Sequence, residues 1–285
     1  MITKVLVTVM TYPALSEKHF ETVCTAGFRE DGTWIRIFPV AYRVLFCANE
    51  SHRYHKWQWI EVDLEQDINR DIRKESFHIR DISTLKILSP HSQNAAPNWD
   101  ERLQWVFRNK KIYRNMTELL QDTKQYDISL AVLKPMRITD FHAEREDLRK
   151  FREKSDRLKK RYKAELNQMR LFEDDFDLQE SFQFAEKVPY KFSYSFMTED
   201  GKERKLMIED WEIGNLYRNT FKKSQNEQIA CEKVRDKYMK MAERDIYLFL
   251  GTSFEWHMKK SPDPYLIIGV FAPPKKEAIQ TMLDF

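Results

Sequence analysis

Short apolar runs separated by turn residues dominate residues 1–98 of the chain. Residues 57–64 alternate with a period of two, which places Ile60, Val62 and Leu64 on one face of a half-buried strand. Further strands are predicted at 3–10, 22–28, 34–40, near 76–80 and near 84–88. About five short strands with long connections favour a small OB-like β-barrel in this part of the chain.

A helical pattern replaces the strand pattern in residues 99–178. Residues 144–170 are predicted to form one long helix, because their apolar positions keep a single stripe at helical spacing. The other faces carry eleven Lys or Arg and six Asp or Glu. Such a face contacts phosphates in some proteins, but the ordinary alternative is a solvated helix face. An acidic stretch follows and predicts an exposed linker, with acids at Glu173, Asp174, Asp175, Asp177 and Glu180.

Residues 179–285 mix both patterns. A hairpin is predicted around Glu199-Asp200-Gly201, followed by helices near 210–222 and 226–243 and by buried strands at 246–250 and 266–271. The predicted fold class is therefore α+β, with an N-terminal OB-like small β-barrel, a helical middle containing one long charged helix, and a C-terminal α+β part.

Composition indicates the cellular location of the protein and excludes several kinds of binding site. The chain has no apolar run long enough to span a membrane, no leader pattern at its start and three scattered cysteines, which together predict a cytoplasmic protein. Its 48 Lys and Arg against 45 acids give a net charge of only +3, which does not by itself predict a polyanionic partner. The six glycines match no phosphate-binding or serine-hydrolase motif, so no cofactor is expected.

Several segments resemble a poorly characterised bacterial protein family, over most of the chain. They are Glu21–Gly27 followed by Asp31–Val40, Glu209–Gly214, Phe249–Thr252 with His257, and Ile268–Phe271. The first of them also resembles dual-OB-type domains of bacterial conflict and defence systems. The resemblance implies an OB-like barrel and a role near nucleic acid in a defence or DNA-processing system, without implying a reaction.

An OB-like surface binds single strands by stacking bases on aromatic rings between phosphate-binding cations. Trp34, Arg36 and Phe38 share one strand parity and form such an arrangement. This pattern predicts an accessory protein that binds nucleic acid, single-stranded rather than duplex. The alternative is that Trp34 and Phe38 are core residues and that Arg36 reaches an acid. The neighbouring segments contribute further predicted contacts, namely Arg29, Arg43, Tyr54, Lys56 and Trp57.

Two short segments resemble the peptides by which bacterial proteins dock on the replicative sliding clamp. They are residues 168–172 and the six residues at the C-terminus, 280–285. Leucine and phenylalanine would fill an apolar cleft while glutamine bonds at its rim; alternatively, the apolar residues pack against the core. The predicted partner contacts are Gln168, Leu171, Phe172, Gln280, Leu283 and Phe285.

Two other function classes stay open. Glu209 and Asp210, with Glu212, could hold Mg²⁺ in a divalent-metal nuclease, although acids here also suit the first turn of a helix. His257 is a candidate general base or nucleotide contact. Cys47, His52 and His55 have irregular spacing, and no zinc site is predicted from them. The remaining alternative is a protein-interaction subunit without affinity for nucleic acid.

Overall fold

A computed structural model describes residues 1–42, 45, 53–88, 97–170 and 185–275, and the side chains of residues 166–170 fall outside it. Five N-terminal strands form a closed barrel with the order β1-β5-β6-β4-β3, which the pairing of β1 with β3 completes. β4 and β6 run parallel, whereas the other neighbours are antiparallel. A short strand, β2, pairs with β3 outside this ring. The strands are β1 (Ile2–Met10), β2 (Ala14–Ser16), β3 (Phe20–Phe28), β4 (Trp34–Ala41), β5 (Trp59–Glu65) and β6 (Ser76–Ile87).

The barrel confirms the predicted OB-like fold, and its interior follows from the alternation seen in the sequence. Ile60, Val62 and Leu64 all lie in one buried cluster inside the barrel. On β1, Val5 and Val7 point into the same cluster, whereas Leu6 and Val9 pack outward in a different one. The outer face of β1 is therefore also buried, and a second sheet covers it.

The rest of the chain supplies that second sheet and a third. The order β13-β12-β8-β7 forms a four-stranded sheet, and β11-β10-β9 forms a three-stranded one. The strands are β7 (Ile112–Tyr113), β8 (Leu130–Leu133), β9 (Arg137–Arg145), β10 (Tyr190–Met197), β11 (Glu203–Met207), β12 (Tyr247–Thr252) and β13 (Tyr265–Phe271). The helices are α1 (Trp99–Phe107), α2 (Met116–Tyr126), α3 (Arg149–Arg170), α4 (Trp211–Ser224), α5 (Glu227–Ala242) and α6 (Phe254–Met258). These elements confirm the mixed α+β class.

Strands from both sides of residue 178 share both of these sheets. β8 pairs with β12, and β9 pairs with β10, so the middle stretch contributes to the same sheets as the C-terminal part. The division of the chain at residues 98 and 178 into a barrel domain, a helical middle segment and a C-terminal α+β domain stays a prediction.

The long charged helix is shorter than predicted. It begins at Arg149, because residues 137–145 extend as β9 and pair with β10. Its inner side packs on the segment around β2, where Lys154 Nζ donates to the Leu15 carbonyl at 3.0 Å and Tyr162 contacts Phe20 edge-on at 5.1 Å between ring centroids. In the described part of the chain, no helix is both long and apolar enough to cross a membrane.

Glu21 on β3 is a buried acid beside this helix, and it makes stability depend on pH. Its Oε1 accepts a bond from the Ala185 amide at 2.8 Å, while burial raises its pKa from 4.5 to about 7 against the opposing charges of Lys159 and Arg218. A raised folded-state pKa means that the folded protein binds the proton more tightly. The stabilising contribution is therefore complete below pH 4.5 and is lost as the pH rises through about 7.

We expect Glu21→Gln to remove this pH dependence, because glutamine keeps the acceptor oxygen but carries no charge. Relative to the unchanged protein, the variant gains up to about 3 kcal/mol in free energy of unfolding between pH 4.5 and pH 8. Urea unfolding at several pH values measures the difference. A constant difference across this range would show that Glu21 titrates normally.

Candidate nucleic-acid interface

A groove of about 900 Å³ separates one end of the barrel from helix α5. The groove is lined by the residues before β5, by the starts of α1 and α4, by α5 and by the end of β13. Seven Lys or Arg side chains line it against two acids, Glu212 and Asp236. The seven are Arg53, Lys56, Arg102, Lys233, Lys237, Lys240 and Arg244.

Aromatic rings form one side of the groove. Trp57 and Trp99 both pack on Phe271, with ring centroids 5.2 Å and 5.8 Å away. The Arg102 guanidinium lies 4.7 Å from the Trp57 centroid and 5.6 Å from that of Trp99, which is cation–π distance for both rings. Trp211, on the first turn of α4, also lines the groove. Both Trp57 and Trp99 keep part of their surface accessible.

Trp57 holds its ring there with an unusual backbone. Its φ is +66°, in the left-handed region that a bulky residue rarely adopts. The Trp57 amide donates to the Val7 carbonyl at 2.5 Å, and the Val7 amide donates to Gln58 at 2.9 Å, which fixes the turn against β1. Such outliers concentrate where a side chain serves a function, so the conformation is consistent with a ring placed for contact.

The cations on α5 form a row along one helix face. Lys233, Lys237 and Lys240 follow at spacings of four and three residues, which is the repeat of one helix side, and Arg244 lies just beyond the end of the helix. At 1.5 Å per residue, the three lysines extend over about 10 Å of the helix. The three lysines are exposed and form no ion pair with any residue that the structure describes. Their charges are therefore available to a ligand in the groove.

Lys56 has a different role from these lysines. Its Nζ lies 2.6 Å and 2.8 Å from the two carboxylate oxygens of Asp210 and 3.6 Å from Glu212. Burial lowers the pKa of Lys56, but the Asp210 and Glu212 carboxylates more than offset this and raise it. Asp210 is 1% exposed and also caps α4 by accepting the Glu212 amide at 3.0 Å. This ion pair fastens α4 to the barrel at the groove floor.

The prediction that Trp34 and Arg36 form an exposed stacking face is wrong. Trp34 is 8% exposed and packs on Phe28 and Phe249, with centroids 4.6 Å and 5.6 Å away. Arg36 is 2% exposed and donates to the Ser129 hydroxyl at 2.8 Å and carbonyl at 3.1 Å. The four-stranded sheet covers this side of the barrel, so neither side chain can reach a base. Phe38, at 36% exposed, is the one member of that set at the surface.

Other predicted contacts also have internal partners. The Arg29 guanidinium lies 4.8 Å from the Phe77 ring centroid and donates to the Trp34 carbonyl at 3.2 Å. Tyr54 borders the groove but is buried, and its hydroxyl bonds to Thr25 at 2.7 Å. The remaining predicted residues lie outside the described ones, and docking on a sliding clamp stays a prediction. They are Arg43, Cys47, His52, Leu171, Phe172, Gln280, Leu283, Phe285 and the side chain of Gln168.

The catalytic candidates are separated in space. His257 is 8% exposed, with Nδ1 3.2 Å from the Thr252 hydroxyl and Nε2 2.9 Å from Asp127, so it ties α6 to the end of α2. Asp210 is held by Lys56, whereas Glu209 faces a cavity on the other side of the α4 start. Across the described residues, no three His, Cys, Asp or Glu side chains converge where a metal ion could bind.

The α5 lysines and the pair Trp99 and Arg102 are groove residues that sequence reasoning missed. The lysine spacing is visible in the sequence on a helix predicted at 226–243. Nothing in the sequence shows that this helix faces Trp57, because the residues are far apart in the chain and meet only through the sheets.

Two family models cover nearly the whole chain. Residues 1–108 match a domain of unknown function, DUF8758, and residues 113–284 match another domain of unknown function, DUF8757. No curated protein matches the chain. Among solved structures, the chain is similar to the "Structure of murine DNA binding protein bound with ds DNA", with 9% identity over 96% of this chain and 97% of that one, at a TM-score of 0.29. A TM-score this low does not establish a shared fold.

Proposed function

This chain belongs to the DUF8757 family, which is defined by a domain of unknown function, and we propose that it binds single-stranded nucleic acid in the groove between the barrel and α5. The observation that supports the proposal most directly is the pairing of two features in one groove. Partly accessible tryptophan rings lie on one side, and a row of lysines without ion-pair partners among the described residues lies along α5.

Each feature matches one part of a nucleotide. Aromatic rings stack on bases, with about 1–3 kcal/mol per base lost on substitution by alanine, and lysine ammonium groups bind phosphates. Trp57 and Trp99 supply the rings, and Lys233, Lys237 and Lys240 supply the charges. No side chain in the groove is needed to read a base edge for this binding, so it depends little on sequence.

Stacking also favours single strands over duplex. A base within a duplex hides both faces against its neighbours, whereas an unpaired base exposes them to Trp57 and Trp99. The groove has a volume of about 900 Å³, and the rings and lysines that line it suit unpaired nucleotides. We therefore expect oligo-dT or oligo-U to bind more tightly than a duplex of equal length.

Substituting Trp99 by alanine tests the stacking contribution. We expect Trp99→Ala to weaken binding of a labelled oligo-dT about 5-fold to 150-fold, corresponding to one lost stacking contact. Fluorescence anisotropy at low salt measures the change, and circular dichroism checks the fold.

Trp105→Ala is the matched control. Trp105 also lies on α1, but its ring packs on Trp59 at 5.0 Å and does not line the groove. The control is expected to bind within about twofold of the unchanged protein, since it removes an equal ring from outside the groove. Equal losses in both variants would contradict stacking at Trp99.

A further inference from the structure

A second cavity, of about 290 Å³, lies where the barrel, helix α3 and the three-stranded sheet meet. The segment leading into β2 borders it on one side and α3 on another, and the starts of β10 and α4 close it. It shares the α4 start with the groove, because Asp210 lines this cavity and pairs with Lys56 in the groove. The two spaces are otherwise lined by different residues.

Nearly every charged side chain around this cavity already has a partner. Lys187 and Lys191 both pair with Glu146, each at 3.1 Å. Lys154 donates to the Leu15 carbonyl at 3.0 Å. Asp210 is held by Lys56.

Glu209 is the exception. Its amide donates to the Ile267 carbonyl at 2.8 Å, but its carboxyl forms no hydrogen bond or ion pair with any described residue. Burial raises the pKa of this carboxyl, and the charges of Lys187 and Lys191 oppose the shift without cancelling it, partly because the Glu146 charge adds to it. Glu209 is half-buried and lines the cavity, so its carboxyl is accessible to a cationic group that enters there.

The rest of the lining is mostly apolar and large enough for a ring. An apolar cavity of about 150 Å³ suffices for benzene in a protein interior, so 290 Å³ leaves room for a ring and a short polar arm. Among the apolar side chains that line it are Leu15, Phe151, Val188, Phe192, Met207 and Ile213.

We propose that this cavity binds a small apolar molecule bearing a primary amine, whose ammonium group pairs with the Glu209 carboxylate while its apolar body fills the space beside Phe151 and Ile213. The ammonium group of the ligand then serves as the ion-pair partner that Glu209 lacks among the described residues. This site is separate from the nucleic-acid groove, and its occupation does not depend on the function proposed for that groove.

Calorimetric titration with three probes of similar size tests the chemistry. Benzylamine carries a positive charge, benzyl alcohol is neutral and benzoate is negative. We expect benzylamine to bind about tenfold more tightly than benzyl alcohol, and benzoate to bind more weakly than either, as a charge-assisted bond to Glu209 requires.

Two variants locate the binding. Glu209→Gln keeps the shape and is expected to reduce benzylamine affinity to that of benzyl alcohol, whereas Glu243→Gln, an exposed acid at the end of α5, leaves it unchanged. If Glu209→Gln does not fold, Leu15→Trp fills the cavity from the barrel side and is expected to abolish binding. Undetectable benzylamine binding, equal affinity for benzylamine and benzyl alcohol, or unchanged affinity in the folded variant would each overturn the proposal.

Discussion

Replacing Lys233, Lys237 and Lys240 together by alanine is expected to weaken single-strand binding about a hundredfold at 0.1 M salt. Each phosphate contact contributes about −0.7 to the slope of log K against log salt for single strands, so three contacts contribute about −2. Between 1 M and 0.1 M salt, a tenfold range, a slope difference of about 2 corresponds to about a hundredfold difference in affinity. The lysines are exposed and make no ion pair among the described residues, so the fold is expected to be preserved.

Lys150, Lys160 and Lys163 on α3 provide the control for net charge. They are equally exposed, they make no ion pair with described residues, and they lie outside the groove. Replacing all three by alanine is expected to change affinity by no more than about twofold to threefold, because only phosphates near the bound strand release counterions. A loss as large as that of the α5 variant would show that binding is spread over the surface and is not confined to the groove.

Lys56→Met is expected to lower the free energy of unfolding by about 3–5 kcal/mol. The substitution leaves the Asp210 carboxylate, 1% exposed, without its partner, and removing one member of a buried ion pair typically costs this amount. Urea unfolding at neutral pH measures the loss. Lys233→Met on the same groove is expected to change stability by less than about 0.5 kcal/mol, because Lys233 is exposed and has no ion-pair partner among the described residues.

The double variant Lys56→Met with Asp210→Leu distinguishes the cost of leaving the Asp210 charge unpaired from the cost of replacing the two side chains. Removing both charges leaves no unpaired ion, so we expect it to recover most of the stability lost by Lys56→Met alone. If Lys56→Met were as stable as Lys233→Met, Lys56 would be a ligand-facing cation, as the sequence predicted, and the ion pair would have no structural role.

The barrel could be predicted because its strands carry their own pattern. The alternation at Ile60, Val62 and Leu64 identifies the inward face without reference to the rest of the chain. The start of the long helix was predicted five residues too early, since residues 144 and 145 are charged and belong to β9, which forms only through pairing with β10. Tertiary pairing decides such segments, and a local pattern does not reveal it.

The site was harder to predict than the fold for a related reason. Trp34 and Arg36 have the residue types of a binding face, but a sheet from the distant C-terminal part covers them, and Arg36 bonds to Ser129 instead of a phosphate. Trp57, from the same predicted set, does line the groove. Strand parity shows which residues share a face, whereas only the packing of distant elements shows whether that face meets solvent.

The most direct test of the central claim is the affinity of the full chain for a labelled oligo-dT at a series of salt concentrations. With three phosphate contacts along α5 and a fourth at Arg244 just beyond it, the account predicts measurable binding at 50 mM salt and a slope of log K against log salt of about −2 to −3. A duplex of the same length is predicted to bind more weakly throughout. No binding at 50 mM salt, or binding that does not change with salt, would contradict a nucleic-acid groove.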